Sequence, residues 1–510
     1  MKKIITLSNI ILLLFSFTTQ LGAQTEKEKQ VEKVLNDRLN TQESEPVNRV
    51  EFELKDGWKK HDIKTFETGI ISYAKETSMG SKTWKIDAYS TELELKNTIE
   101  IETKYRKLEL TYETENQLFM LFAKNNGKFE LFSIDIETLE YKTTTGKVPS
   151  SFDLKDLKIL NNTAYITGSE LVILVDLETG ILKKLKIILE NYRPYLNQVK
   201  DIQIINDVNE ALIYFQVELG FENEYYIVRL DEHGNQKGQI KLKREKDKHI
   251  VSATSTCIGK GGYLVTGTYS HKKNNLSTGV FISKITNNKT NFIKFYNFLE
   301  FDYFATHLPF REQRKIKRKK ARKEKKGKEL ERSYLIDIHN IVERNNQYFF
   351  LGEVYHATTR PTTAFGPNGQ SYTTYVFDGY QYTNAVLASF DKSGNKQWDE
   401  SFYMYPDYKP FKPKKFVTHS FTDDNQIKLV YSGRESISAQ TFDFYGNTID
   451  LLFFKDIDTG DGEDQTRTQT KAMMDYWYGN YFIAHGTAKI RNKNSKEKRK
   501  VYFINKISYN

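Results

Sequence analysis

Residues 388–398 are Ala-Ser-Phe-Asp-Lys-Ser-Gly-Asn-Lys-Gln-Trp, an alternating apolar run followed by a tight turn and the start of a second run. Asp391 and Asn395 can hydrogen-bond the neighbouring backbone, and Gly394 accepts a positive φ, so this stretch predicts a β-hairpin. Comparable turns begin at Asp176, Asp231 and Asp443, with looser copies at Asp135 and Thr286.

The same unit repeats along most of the chain. Each turn follows an apolar or aromatic run that ends in glycine, for example Phe349-Phe-Leu-Gly352 and Leu264-Val-Thr-Gly267. Most turns lie 41 to 55 residues apart, and the longer gap of 105 residues before Asp391 holds two insertions. A period of this length, built only of strands and turns, is typical of propeller blades. Residues 48–510 are therefore predicted to form an all-β β-propeller of about eight four-stranded blades, with about seven as the alternative.

The two ends of the repeat region predict how the ring closes. Phe503–Ser508 matches Phe281–Thr286, but no fourth strand follows it in this last unit. Arg49–Leu54 alternates like a strand and has no unit of its own. We expect this segment to pair within the last blade, because closure removes the exposed edge strands of an open ring.

The first residues have the pattern of a secretory signal. Lys2 and Lys3 precede an apolar stretch, Ile4–Phe17, and Leu21-Gly-Ala-Gln24 offers small residues for cleavage. Residues 1–24 are therefore predicted to be a signal peptide.

Export fits the cysteine content, since the single Cys257 excludes an internal disulfide and leaves the fold to its core. Residues 25–47 form a polar segment before the repeats. The sequence shows no sorting domain after the last repeat. We therefore expect an exported, monomeric protein that is periplasmic rather than displayed on the cell surface or extracellular.

The net charge of +10 is concentrated in one insertion, residues 305–332. Within it, residues 311–332 hold 13 Lys or Arg against 4 Glu, while the remaining mature chain is close to neutral. The insertion is predicted to be helical or disordered, because almost no apolar residue marks a face that could pack in a core. Its basic residues are candidates for contact with an anionic envelope polymer, lipid or protein; export disfavours nucleic acid. They are Arg311, Arg314, Lys315, Lys317, Arg318, Lys319, Lys320, Arg322, Lys323, Lys325 and Lys326.

A second insertion, residues 355–382, is rich in aromatic side chains and lies between the second and third strands of blade six. One interpretation is a loop that folds over the ring around its own small core. The other is a ligand platform, because aromatic rings stack on sugars or peptides while charged side chains orient them. The candidate residues are Tyr355, His356, Arg360, Tyr372, Tyr375, Phe377, Asp378, Tyr380 and Tyr382.

One acidic turn resembles a calcium loop. Asp456, Asp458, Asp461 and Asp464 supply carboxylates, but the register of an EF-hand is not kept, and an acidic surface turn is the alternative. The histidines have no ligand spacing, so neither zinc nor a histidine-based triad is indicated. No phosphate loop or nucleophile elbow occurs in the sequence, and no cofactor is predicted.

Two family resemblances follow from quoted motifs. Residues 388–398 resemble repeats of quinoprotein-type propellers, although that family's regular tryptophan pattern is absent and its cofactor is not implied. The last 200 residues resemble a group of uncharacterised exported propeller proteins of Bacteroidota. The basic insertion, Phe377-Asp-Gly-Tyr-Gln-Tyr-Thr-Asn384, Trp477-Tyr478 and Val501-Tyr-Phe-Ile-Asn-Lys506 carry this second resemblance. It implies export and a shared fold.

These features favour a non-catalytic interaction or scaffold propeller of the cell envelope, with peripheral membrane contact as one mode of binding. The alternative is a carbohydrate-binding protein, or a polysaccharide-active enzyme that uses carboxylates on the propeller face.

Overall fold

The computed structural model describes residues 48–54, 58–189, 197–219, 222–243, 245, 247–259, 261–365, 367–368, 370–404, 406, 408–433, 436–456 and 459–509. These residues form eight antiparallel sheets and one α-helix, an all-β arrangement consistent with propeller-like folds. The predicted signal peptide and polar segment, residues 1–47, lie outside the described residues. Within the described ranges, no helix is both long and apolar enough to cross a membrane.

The first strand is β1 (Asn48–Glu53), and the next four sheets are meanders in which each strand pairs with the following one. Sheet 1 contains β2 (Trp58–Phe66), β3 (Gly69–Glu76), β4 (Thr83–Tyr89) and β5 (Leu95–Glu102). Sheet 2 contains β6 (Lys107–Glu113), β7 (Gln117–Ala123), β8 (Lys128–Asp135) and β9 (Tyr141–Lys147). Sheet 3 contains β10 (Asp156–Leu160), β11 (Thr163–Thr167), β12 (Val172–Asp176) and β13 (Leu182–Lys184). Sheet 4 contains β14 (Asn197–Ile205), β15 (Glu210–Leu219), β16 (Glu222–Leu230) and β17 (Gln236–Lys241).

The remaining sheets include the one that carries both insertions. Sheet 5 contains β18 (His249–Cys257), β19 (Gly262–Ser270), β20 (Gly279–Thr286) and β21 (Lys289–Asn297). Helix α1 (Phe310–Glu324) follows, and sheet 6 contains β22 (Leu335–Ile338), β23 (Val342–Arg344), β24 (Gln347–Phe365), β25 (Ser371–Asp391) and β26 (Lys396–Tyr403). Sheet 7 contains β27 (Thr418–Phe421), β28 (Gln426–Ser432), β29 (Ser436–Asp443) and β30 (Thr448–Asp456). Sheet 8 contains β31 (Asp464–Tyr478), β32 (Tyr481–Asn492) and β33 (Lys498–Ser508), to which β1 is added.

The quoted turn adopts the predicted geometry. The Asp391 carboxylate accepts hydrogen bonds from the backbone N–H groups of Ser393 and Asn395, both at 2.8 Å. Gly394 has a φ of +76°, which a side chain would disfavour. The side chain of Asp391 thus closes the hairpin between β25 and β26 and fixes its register.

Three of these turns also join their sheet to the one before it. The Trp398 indole of sheet 6 donates a hydrogen bond to the Phe444 carbonyl in the turn of sheet 7 (2.8 Å). The Tyr296 hydroxyl of sheet 5 donates to the Gly394 carbonyl of sheet 6 (2.6 Å), and the Tyr165 hydroxyl of sheet 3 donates to the turn of sheet 4. In these three pairs, an aromatic donor on one sheet satisfies a turn carbonyl of the next.

The core lies between neighbouring sheets. Hydrophobic clusters join consecutive sheets along the chain, because each sheet buries side chains on both faces. One cluster joins sheet 8 to sheet 1, with Trp477, Ile483 and Tyr502 packed against Ile63 and Ile70. The first and last sheets are therefore neighbours in space.

The expected pairing of the N-terminal strand is present. Strand β1 pairs antiparallel with β33 from Asn48↔Lys506 to Glu53↔Val501. The Arg499 guanidinium on β33 contacts the carboxylates of Glu51 on β1 (3.0 Å) and Asp464 on β31 (2.5 Å). Charge pairing across three strands therefore accompanies the backbone pairing that adds β1 to the last sheet.

Candidate interaction site on the sixth sheet

The aromatic insertion is a hairpin. The interpretation of a loop folded over its own small core is wrong for its outer part, residues 359–377, which are mostly exposed. Strands β24 and β25 stay paired from Gln347↔Asp391 out to Phe365↔Ser371. Threonine, tyrosine, valine and phenylalanine dominate this stretch, and these residues favour extended strands over a compact loop. We call residues 359–377 the arm.

The arm is exposed on both faces. One face carries Phe365, Tyr375 and Phe377 together with threonine, serine and proline side chains, and no charged residue. Phe365 is 74% exposed and Tyr375 is 69% exposed. The other face carries Arg360 and Tyr372, which are exposed as well. A two-stranded hairpin is only marginally stable when nothing covers either face, so this geometry favours contact with a partner.

The base of the arm is a packed aromatic cluster. The rings of Tyr355 and Tyr382 stack at 5.1 Å, and the Tyr380 ring meets Tyr355 edge-on at 5.2 Å. The Tyr382 hydroxyl accepts a hydrogen bond from the Lys414 backbone N–H (2.8 Å). Burial raises the pKa of the Tyr355 hydroxyl to about 12. These three tyrosines support the arm and are not a free stacking surface.

The segment 408–417 fixes the arm at its base. The Lys409 ammonium lies 3.1 Å from the Asp378 carboxylate, and the Phe411 ring meets Phe377 edge-on at 5.8 Å. Gly379 has a φ of +115°, and a Cβ there would lie 2.5 Å from the Lys409 carbonyl oxygen. The close approach of the two backbones therefore requires glycine.

The basic insertion forms helix α1, which rests on the protein along one narrow stripe. Gln313, Ile316 and Lys320 are half-buried, while the other basic side chains of the helix are exposed. The Gln313 amide donates to the carbonyls of Thr306 and Leu308, and the Lys320 ammonium donates to the Leu299 carbonyl (2.7 Å). No residue of the helix is fully buried, as predicted from its lack of an apolar face.

The charge of α1 is mostly uncompensated. The helix contains nine Lys or Arg and two Glu. Glu312 pairs with Arg332 (3.2 Å), and Glu324 lies 4.0 Å from Lys320. Basic residues four positions apart repel one another on a helix. Eight of them are exposed here: Arg311, Arg314, Lys315, Lys317, Arg318, Lys319, Arg322 and Lys323. Lys325 and Lys326 continue this exposed charge beyond the helix.

The two insertions lie side by side where they leave the protein. His307 precedes α1 and His356 lies on β24 at the foot of the arm. Glu312 on α1 pairs with Arg332 (3.2 Å), and Leu335 on β22, three residues further on, pairs with Tyr355 at the foot of the arm. The sequence placed both insertions beside one sheet, and the structure brings their bases together.

The acidic turn gives no support to calcium binding. The Asp464 carboxylate is buried and paired with Arg499, which holds the pKa of Asp464 below its ordinary value. Asp461 accepts a hydrogen bond from the Asn492 amide. Asp456 ends β30, and Asp458 lies outside the described residues. Within the described ranges, no three His, Cys, Asp or Glu side chains converge as metal ligands.

The first strands of several sheets carry polar groups that the spacing of residues in the sequence did not reveal. Asp156 on β10 and Asp201 on β14 lie close enough to interact, and desolvation and then the Asp156 charge raise the pKa of Asp201 to about 6. Lys158 is 3.2 Å from Asp156, and Lys415 on the segment beside the arm also acts on Asp201.

A buried glutamate links this region to the arm. The Glu353 carboxyl accepts hydrogen bonds from the backbone N–H groups of Phe416 (2.9 Å) and Val417 (3.0 Å), and it lies 2.8 Å from His339 Nε2. Desolvation raises the pKa of Glu353 to about 8 and lowers that of His339 to about 3. These shifts favour a neutral carboxyl beside a neutral imidazole at neutral pH.

A second histidine cluster also escaped the sequence analysis. His485 Nε2 lies 2.9 Å from the Asp475 carboxylate, and its Nδ1 lies 2.7 Å from the Tyr502 hydroxyl. Tyr502 is buried, and desolvation raises the pKa of its hydroxyl well above the ordinary value. The cluster joins β31, β32 and β33 through side-chain contacts.

One sequence signal marks these first strands. An aspartate followed by Ile or Leu recurs as Asp62-Ile63, Asp156-Leu157, Asp201-Ile202 and Asp337-Ile338. In the first three, the aspartate side chain accepts a hydrogen bond from the backbone N–H of the next residue, at 2.8 to 3.0 Å. Aligning the repeats on their first strands, and not on their turns, would have found this acidic set.

Comparison with known proteins finds neither a matching family model nor a matching curated protein. Among solved structures, the chain is similar to tricorn protease, with 10% identity and a TM-score of 0.38 over 82% of this chain and 36% of that one. It is similar to the polysaccharide lyase Uly1, with 7% identity and a TM-score of 0.40 over 83% of this chain and 92% of that one. A prolyl endopeptidase matches with 6% identity and a TM-score of 0.35 over 78% of this chain and 50% of that one.

The chain spans about a third of tricorn protease and half of the prolyl endopeptidase. At these identities the likeness concerns the fold alone and says nothing about activity.

Proposed function

We propose that this protein is an exported, non-catalytic scaffold of the bacterial cell envelope. In this account it is a closed ring of about eight blades, with β1 completing the last blade. The hydrophobic cluster between sheets 8 and 1, and the pairing of β1 with β33, support ring closure. The signal-like first 24 residues support export.

The observation that carries the proposal is the exposure of the arm on both faces. Phe365, Tyr375 and Phe377 form an apolar row that is covered only at its base, where the rings of Tyr380 and Phe411 meet Phe377. Exposed apolar patches of this kind mark interaction surfaces. The packed base holds the arm out from sheet 6, so the ring serves as the rigid support.

Fractionation of producing cells tests this proposal. We expect the wild-type chain to remain with the envelope fraction and the double variant Phe365→Thr/Tyr375→Thr to move to the soluble fraction. Threonine keeps the strand propensity of the arm while it removes the rings. The matched control is Ile181→Thr/Tyr445→Thr, which removes two exposed apolar side chains elsewhere. Equal distribution of both variants would contradict the proposal.

A carbohydrate-binding or polysaccharide-active role is the second candidate. The close pair Asp156 and Asp201, with the raised pKa of Asp201, is the observation in its favour, because perturbed carboxyl groups often mark functional sites. Incubation with envelope polysaccharides followed by product analysis separates the two roles. Product formation that is lost in Asp201→Asn supports the enzyme; a lack of products together with arm-dependent fractionation supports the scaffold.

A further inference from the structure

We infer that the partner of the arm and helix α1 is an anionic lipid surface, which the two insertions contact together. This inference rests on the proposed function and names the partner of the same site. It combines three observations: the unpaired charge of α1, the uncharged aromatic face of the arm, and the adjacency of their bases.

Helix α1 presents many basic side chains to solvent. Eight basic side chains of α1 point away from the stripe formed by Gln313, Ile316 and Lys320, and both glutamates of the helix already have cationic neighbours. Phosphate headgroups supply many negative charges on one plane, which relieves the repulsion along the helix. A flat anionic surface therefore complements α1 better than a small soluble anion does.

One face of the arm is aromatic and uncharged. Phe365, Tyr375 and Phe377 lie on one side of the arm without any charged neighbour on that side, and Phe411 extends the row at its base. Aromatic side chains favour the boundary between headgroups and acyl chains. Lys412 follows Phe411 in sequence and is exposed, so a basic group borders this apolar row.

Helix α1 and the arm are placed to contact one surface together. Stable attachment to a bilayer usually needs two signals, such as an apolar insertion and a basic patch. Arg332 pairs with Glu312 of α1, and Leu335 shortly after it pairs with Tyr355 at the foot of the arm, so both signals leave the protein at one place. The ring then needs no spanning segment to be held at the envelope.

Sedimentation with vesicles tests this inference on the full-length mature chain. The vesicles contain phosphatidylcholine alone or with about one third phosphatidylglycerol, a content that provides a negative surface. We expect binding to the anionic vesicles only, and weaker binding as salt rises.

Two pairs of variants separate charge from aromatic contact. Arg314→Gln/Arg318→Gln/Arg322→Gln removes one row of α1 and should weaken binding by about tenfold or more. Lys142→Gln/Lys183→Gln/Lys184→Gln removes the same charge from exposed strand positions and should have little effect. Tyr375→Thr should weaken binding about threefold, whereas Tyr372→Thr, on the opposite face of the arm, should not.

Each outcome is informative together with fractionation. Vesicle binding that depends on α1 and Tyr375 supports the inference. Arm-dependent retention in the envelope without vesicle binding overturns the lipid assignment and leaves a protein or polymer partner. If Arg314, Arg318 and Arg322 matter but Tyr375 does not, a soluble polyanion is favoured and the joint contact is wrong. If the wild-type chain neither binds vesicles nor remains with the envelope fraction, the proposed function itself is overturned.

Discussion

The Asp378 carboxylate and the Lys409 ammonium lie 3.1 Å apart, at the point where the arm leaves sheet 6. The hydroxyl of Thr358 also donates to Asp378, and this bond is the first cause of the lowered pKa of its carboxyl, ahead of Lys409. The pair joins β25 to the segment that precedes sheet 7. The direction of the arm therefore depends on polar contacts at its base as well as on the tyrosine cluster beneath them.

Asp378→Asn is expected to loosen the arm with little loss of global stability. Partly exposed ion pairs contribute little to global stability, but this one lies where an exposed hairpin leaves sheet 6. Hydrogen exchange of residues 359–377 should quicken, while thermal unfolding changes little. Because the pKa of Asp378 is lowered, its contribution is present above the ordinary carboxyl pKa and is lost as pH falls below it. Unchanged exchange of the arm would contradict this role.

Glu353 should make the folded state less stable as pH rises from 6.5 to 8. The folded-state pKa of about 8 lies above the ordinary value of 4.5, so the native state retains a proton that the unfolded state loses. Stability falls with pH in such a case, by up to about 2 kcal/mol over this window. Glu353→Gln keeps an acceptor for Phe416 and Val417 and should flatten the dependence measured by urea unfolding.

His339 and His419 have the opposite sign and a different window. Their folded-state pKa values are lowered to about 3, so their effect is the loss of stability as pH falls below 6.5. Above pH 6.5 both histidines are neutral in the folded and unfolded states, so the pH dependence of stability expected there is that of Glu353. Parallel unfolding curves for wild type and Glu353→Gln across that interval would show that this carboxyl is ionised in the folded protein.

Asp156→Asn should lower the pKa of Asp201. The charge of Asp156 is the second cause of the raised value of about 6, after desolvation, which the substitution leaves in place. Carboxyl-selective ¹³C labelling of aspartate, followed through a pH titration, measures this pKa directly. Asp423→Asn, an exposed position in sheet 7, is the matched control and should have no effect. An unchanged pKa of Asp201 in the Asp156 variant would mean that the two strands do not approach each other.

Phe52→Ala tests the closure of the ring. The Phe52 ring on β1 contacts Tyr89 of sheet 1 (6.0 Å) and Tyr502 of sheet 8 (6.5 Å), so it joins the two ends of the repeat region. We expect the variant to lose about 2 kcal/mol of unfolding free energy, as for a partly buried aromatic side chain. Leu95→Ala, at an exposed site on β5, should cost far less. Equal losses would argue against a closed ring.

The sequence predicted the repeat because its turns use short-range chemistry. The hydrogen bonds of Asp391 to its own turn and the positive φ of Gly394 depend on neighbours along the chain. The same holds for β1, because its alternating apolar and polar residues are local and the sequence shows that it belongs to no repeat unit of its own. The exposure of α1 followed from its lack of apolar residues.

Contacts between distant residues could not be predicted in the same way. Glu353 and Phe416 are 63 positions apart, and nothing local shows that the carboxyl is buried among backbone donors. One of the two interpretations of the arm, the self-packed loop, was wrong for a related reason. Aromatic density suggested a compact loop, whereas the pairing of Thr359 with Phe377 and of Phe365 with Ser371 continues the sheet outward.

Site-specific photo-cross-linking in producing cells tests the central claim most directly. A photoreactive phenylalanine analogue replaces Tyr375 on the arm, which is 69% exposed, or Tyr445 in the turn of sheet 7, which is 78% exposed. The account predicts an envelope adduct at position 375 and none at position 445. Equal adducts at both positions, or none at 375 in protein that is folded and exported, would contradict the assignment of the arm as the binding site.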